Sequence, residues 1–419
     1  MSGGRFRRGS SLALAAMMGL TTLTLVLGAG LKSPCADRSW VEERRGASGQ
    51  CYSDIADLLR TEQLADGRLP YLERCDAAAK PCDEYPLVSM YVMRLTASWP
   101  GGGDPYTTFF WVNVLLLLAC ALVITWCLDR LGAATALFAA APTLLIYGTM
   151  NWDLVPVAFA TVATFAFLRR REVASGILLG IGAAAKLYPA LLVLPFAADR
   201  WRADERGRGV KLVLAAGISW LALNLPFALA APEGWFHFVR YHSERPAEYD
   251  SLWRVACENG LCLSTSAINI ASLVLFAIGS AFVWRLKERR DPDVKAWTFG
   301  FVLVAMFLLT NKVWSPQYAL WLLPWFALVA PSFKPYLAFQ AAEVLVFIAR
   351  FSFFQRLEGD SGLPYAALEI AVAARALALV WCLAAWVRTS DYSLAPTVTS
   401  PDWAAKRIAA KRLPTPNLP

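Results

Sequence analysis

Apolar runs of about twenty residues, the length that crosses a bilayer as a helix, recur almost from end to end of this 419-residue chain. One soluble core cannot absorb so much apolar surface. Charged residues make up only 17% of the chain, against roughly 25% in soluble domains. A cytosolic enzyme is therefore excluded. So is a disordered chain, because 13% aromatic residues and long apolar runs would not stay solvated. The recurrence also excludes a single membrane anchor. What remains is an all-α polytopic membrane protein with about twelve transmembrane helices.

The first run, 11–31, follows Arg5, Arg7 and Arg8 and reads as a retained span rather than a cleaved signal, with a cytoplasmic N-terminus. Residues 33–106 form a first extracellular loop, in which 86–99 is too short to cross and reads as an interfacial helix. Spans follow near 107–128, 132–150 and 153–168, the last ending on Arg169, Arg170 and Arg171. The run 173–198 is broken at Lys186, Tyr188 and Pro189. Two short helices meeting near Lys186 keep the basic segments inside and put Lys186 near the outer apex of a hairpin. Spans near 210–231, 266–285, 294–311, 316–331, 333–352 and 364–387 complete the bundle, with a second extracellular loop at 232–264. The membrane-embedded domain is thus 1–387, and 388–419 reads as a disordered cytoplasmic tail. No internal repeat is visible.

The net charge of +8 reports cytoplasmic loops in such a protein, not nucleic-acid binding. Cys35, Cys51, Cys75 and Cys82 all fall in the first extracellular loop, and Cys257 and Cys262 in the second. Even numbers on the oxidising side predict disulfides, although four cysteines leave three pairings open. With two histidines and no histidine near a paired cysteine, no metal site is expected.

The loops also hold the candidate chemistry. Asp54, in Cys51-Tyr52-Ser53-Asp54-Ile55, opens an amphipathic segment. Its position suits a helix-capping carboxylate as well as a reactive one. Glu84 and Tyr85 precede Pro86 at a helix start. Asn151 and Asp153 sit at the end of a span, where an ionisable group is costly unless it faces a cavity. Lys186 lies in apolar sequence without an obvious local partner, which suits either a structural ion pair or an anionic ligand. Arg240, His242 and Arg245 follow, and then Lys312, Gln317 and Tyr318. Several cations and carboxylates thus share one membrane face, as a phosphate-bearing ligand entering from the lipid would require. Glycosyl transfer from a lipid-phosphate sugar fits this set. Phosphate leaves without a general acid, one carboxylate takes the acceptor proton, and cations balance the departing charge. A glycosidase would need two cooperating carboxyl groups. A nucleotide-sugar donor would need a cytoplasmic domain larger than any segment here.

The chain resembles the membrane-embedded C-type glycosyltransferases, specifically glycosyltransferase family 87. The stretches that carry the resemblance are NWDLVPVAFA at 151–160, ASGILLGIGAAAKLYPALLVLPFA at 174–197 and NKVWSPQYALWLLP at 311–324. CYSDI at 51–55, EYP at 84–86 and DSLW at 250–253 fit the family's loops. The resemblance implies a GT-C fold and an inverting, metal-independent transfer outside the cytoplasmic membrane. It implies a polyprenyl-phosphate sugar as donor, with mannose favoured, and a glycolipid or cell-envelope polysaccharide as acceptor. It makes Asp54 the base and gives Lys186 the donor phosphate, with Arg240, Arg245 or Lys312 as helpers. Asn151 and Asp153 would line the cavity, Asp153 being the second candidate base. Glu84, Tyr85, Tyr188, His242, Gln317 and Tyr318 would shape the sugar and lipid sites. The competing readings are a transporter or flippase for lipid-linked saccharides and a non-catalytic membrane scaffold. A transporter would favour inverted repeats and polar groups at the midplane.

Overall fold

The computed structural model describes residues 11–43, 49–75, 82–329 and 332–389, and these are helical with no strand among them. The N-terminal arginines and nearly all of the tail expected at 388–419 lie outside the described residues. Six helices are long and apolar enough to cross a bilayer: Ser11–Lys32, Pro105–Leu131, Arg206–Ala230, Thr265–Arg290, Phe333–Leu357 and Tyr365–Arg388. The other six expected crossings are shorter or broken, so length alone does not assign them. The stretch expected to span at 132–150 is two short helices, Ala136–Ala139 and Pro142–Tyr147. Pro142 and, further on, Pro316 open their helices, where a missing N–H costs nothing. The helices Arg206–Ala230 and Thr265–Arg290 leave Ile218, Leu229, Ile270, Leu273 and Phe282 exposed. Such apolar faces suit lipid rather than water.

The break expected at Lys186 is present. Helix Glu172–Ala185 ends there because Lys186 turns extended, and a tight turn, Tyr188–Leu192, leads into helix Val193–Arg202. Helix Glu172–Ala185 lies hard against Arg206–Ala230 through Gly176 and Gly180. A Cβ at Gly176 would fall 2.3 Å from the Leu212 carbonyl oxygen, and one at Gly180 2.4 Å from that of Ala216. Small residues four apart permit this close approach, and it fixes the height at which Lys186 leaves the helix.

The first loop is tied down covalently and by charge. The disulfides are Cys35–Cys51, Cys75–Cys82 and Cys257–Cys262, which resolves the three open pairings. Arg68, buried, lies 3.1 Å from Glu62 and 2.9 Å from Asp83. Asp83 also accepts the Tyr71 N–H, and the Tyr71 hydroxyl donates to the Tyr85 carbonyl. The clamp therefore sets Tyr85. One guanidinium serves two carboxylates here. Burial, with the Asp83 charge adding to it, pushes the Glu62 carboxyl up from 4.5 to about 7. The folded form then holds a proton that the unfolded chain releases. Stability from this group is present at low pH and declines as pH rises from about 4.5 to about 7. Glu62→Gln is expected to flatten that decline when thermal unfolding is compared at about pH 5 and about pH 8.

Candidate active site

A cavity of about 540 Å³ opens between the first loop, the Lys186 turn, the 238–248 segment and the 311–321 turn. Asp54 lies on its wall. Ser53, not Asp54, caps helix Asp54–Thr61: its Oγ accepts from the Ile55 N–H at 3.3 Å and donates to the Thr149 carbonyl at 2.9 Å. The capping role open to Asp54 in the sequence thus falls to its neighbour, which frees the carboxylate. The Asp54 N–H donates to the Met150 carbonyl at 2.9 Å, which joins the first loop to the 149–153 turn. That turn is braced in turn by Trp152, whose Nε1–H donates to Asn113 Oδ1 at 2.6 Å.

Both Asp54 oxygens accept hydrogen bonds. The Tyr52 hydroxyl donates to Oδ1 at 2.6 Å, and to Oδ2 come Asn151 Nδ2 at 2.6 Å and the Tyr85 hydroxyl at 3.3 Å. Burial raises the Asp54 pKa above the ordinary carboxylate value, against the pull of Tyr52 and Asn151, and the net direction is upward. The result is an oriented carboxylate with enhanced basicity, as a general base needs.

Lys186 has the partner that its sequence neighbourhood did not reveal. Its Nζ lies 2.9 Å from Asp153 Oδ1, which also accepts the Trp321 Nε1–H at 2.6 Å. The ammonium sits over the Tyr318 ring at 4.7 Å, and Tyr318, Trp321 and Tyr188 stack in series. Asp153 is wholly buried behind Lys186 and is not among the residues that line the cavity, where it was expected. Asn151 likewise stands behind Asp54 rather than on the wall. Arg240 is exposed and outside the cavity. On helix Pro232–Glu244 and its end, Phe238, Tyr241, His242 and Arg245 share the inward face. That spacing turns Arg240 away.

Glu84, Tyr85, Tyr188, His242, Arg245, Lys312, Gln317 and Tyr318 all line the cavity. His242 is neutral rather than cationic. Burial pushes it down to about 4, and its Nε2, 3.0 Å from the Glu84 carbonyl, must donate there because a carbonyl only accepts. Arg245 pairs with Glu248, its Nε 3.0 Å from Oε1. Lys312 donates to the Ser243 carbonyl at 3.1 Å and has no carboxylate among its ion pairs with described residues.

Sequence reasoning missed Tyr52, Glu248, Trp321 and Arg350, which also line the cavity. Arg350 had a readable signal, as one of two charges, with Glu343, inside an apolar run. It reaches Asp250 at 2.6 Å, while Arg375 donates to the Asp250 and Trp314 carbonyls at 2.6 and 3.2 Å and faces Glu343 at 3.6 Å. This buried chain of charges fixes the second loop against the last two long helices.

The family model for glycosyltransferase family 87 matches residues 84–311, more than half of the chain, and leaves Asp54 outside the matched segment. Among solved structures, the crystal structure of ArnT from Cupriavidus metallidurans bound to undecaprenyl phosphate is similar over 91% of this chain and 77% of that one, at 14% identity and a TM-score of 0.46. No curated protein matches. The family match and the six spanning helices together make this a multi-pass membrane glycosyltransferase, and the chain belongs to glycosyltransferase family 87.

Proposed function

We propose that the protein transfers a sugar, mannose in the favoured case, from a polyprenyl-monophosphate donor to a glycolipid or cell-envelope glycan on the extracytoplasmic face of the cytoplasmic membrane. The observation that carries this reading is one cavity holding an oriented, basic Asp54 opposite a wall of cations. The acceptor hydroxyl gives its proton to Asp54 as its oxygen attacks the anomeric carbon. The bond from that carbon to the phosphate oxygen breaks, and its electron pair leaves with the phosphate. Attack opposite the leaving group inverts the anomeric centre.

Lys186, Arg245 and Lys312 balance the phosphate charge. Lys312 is the readiest of the three, because Lys186 and Arg245 each already face a carboxylate. This supplies the needed positive charge from side chains, without a metal ion. The aromatic stack of Tyr188, Trp321 and Tyr318 offers a flat apolar face to the sugar or the first isoprene units. The test is the stereochemistry of the product. Proton NMR of the glycoside made from a polyprenyl-phosphate sugar of known anomeric configuration is expected to show the opposite configuration. Retention would remove the single-displacement mechanism.

A further inference from the structure

Glu248 sits where an anion would sit. Its carboxylate lies on the cavity wall between two guanidiniums, with Arg245 Nε at 3.0 Å and Arg350 Nη2 at 3.7 Å. Its N–H donates to the Lys312 carbonyl at 2.9 Å, which ties its segment to the 311–321 turn. One cavity-facing carboxylate thus lies between two guanidiniums, a pair suited to a phosphate.

The two ion pairs on the wall differ in how freely they can open. Asp153 is fully buried and its one cation is Lys186, so releasing Lys186 would leave a buried charge unpaired. Glu248 bridges two cations. It can let Arg245 go and still face Arg350 at 3.7 Å, a guanidinium that it shares with Asp250 at 2.6 Å. Arg245 is therefore the exchangeable cation and Lys186 the fixed one.

We propose that Glu248 is a built-in stand-in for the lipid phosphate: it occupies Arg245 in the empty site, yields it to the donor, and reclaims it to expel the product. This rests on the polyprenyl-phosphate reading of the site. The need for expulsion follows from the chemistry. The donor is a phosphodiester with one negative charge, whereas the freed monoester carries about 1.5 to 2 near pH 7. The product would hold the cations more tightly than the donor, and a competing carboxylate limits that hold.

Binding of a polyprenyl monophosphate, and of the matching uncharged polyprenol, to purified full-length wild type and Glu248→Gln tests this. Loss of the competing charge is expected to tighten monophosphate binding about tenfold, to leave polyprenol binding unchanged, and to make turnover more sensitive to inhibition by the monophosphate. A merely structural Glu248 would give weaker or equal monophosphate binding in the variant, and that result overturns the proposal. Should the glutamine variant not fold, Glu248→Asp, whose shorter side chain draws back from Arg245, is expected to tighten binding in the same direction by less. Wild type that binds monophosphate no better than polyprenol would overturn the donor reading itself, a failure distinct from that of the stand-in.

Discussion

Asp54→Asn is expected to lower kcat by about 10²–10⁴-fold, the range for losing a positioned general base, with donor affinity nearly unchanged and only a small drop in the unfolding midpoint. Asparagine keeps the size of the side chain and an oxygen that can accept from Tyr52 at the present 2.6 Å. It removes the charge and the basicity, and its amide nitrogen takes away the acceptor that Asn151 and Tyr85 use at Oδ2. The same geometry fixes the sign of the pH dependence. The base must be ionised, and burial holds its pKa above the ordinary carboxylate value. Activity therefore falls as pH drops through that raised value, placing the acid limb above where an exposed aspartate would put it. A variant that loses turnover together with donor binding and stability would instead mark Asp54 as a structural residue.

The second large effect is expected at Lys186. Removing one partner of a buried ion pair costs about 3–5 kcal/mol, because the other charge is left uncompensated. Lys186→Met leaves Asp153 in that state, since the Trp321 N–H that also reaches it is neutral. The single variant is expected to unfold at markedly lower temperature. Adding Asp153→Asn is expected to restore most of the stability but not the donor affinity. Wild-type donor affinity in the double variant would mean that Lys186 serves the fold alone.

The contrast between these two residues shows how far the sequence could be read. The long apolar runs and the break at Lys186 were legible because membrane length and positive-inside charge constrain them directly. The disulfide loops were legible as cysteine clusters, but not their pairing, which depends on how the loop folds back. Asp54 was legible as a residue and ambiguous as a role. Only the structure shows that Ser53 takes the cap. The Asp153–Lys186 pair was not legible, because its members are far apart in the chain and meet only when the 149–153 turn packs on the hairpin. Arg240 was drawn in by proximity in sequence, and the helical period of 232–244 turns it outward. Arg350 was overlooked because it and Glu343 were absorbed into one apolar span, although burying an ionisable group in a membrane helix already marks it as functional or structural.

In the proposed mechanism Asp54 takes the acceptor proton while a polyprenyl phosphate departs. This is tested most directly by incubating purified wild type and Asp54→Asn with polyprenyl-phosphate-mannose and a membrane-lipid extract, and analysing the products by mass spectrometry. The account predicts an acceptor heavier by one hexose with wild type and none with the variant. The same product from both proteins would contradict it.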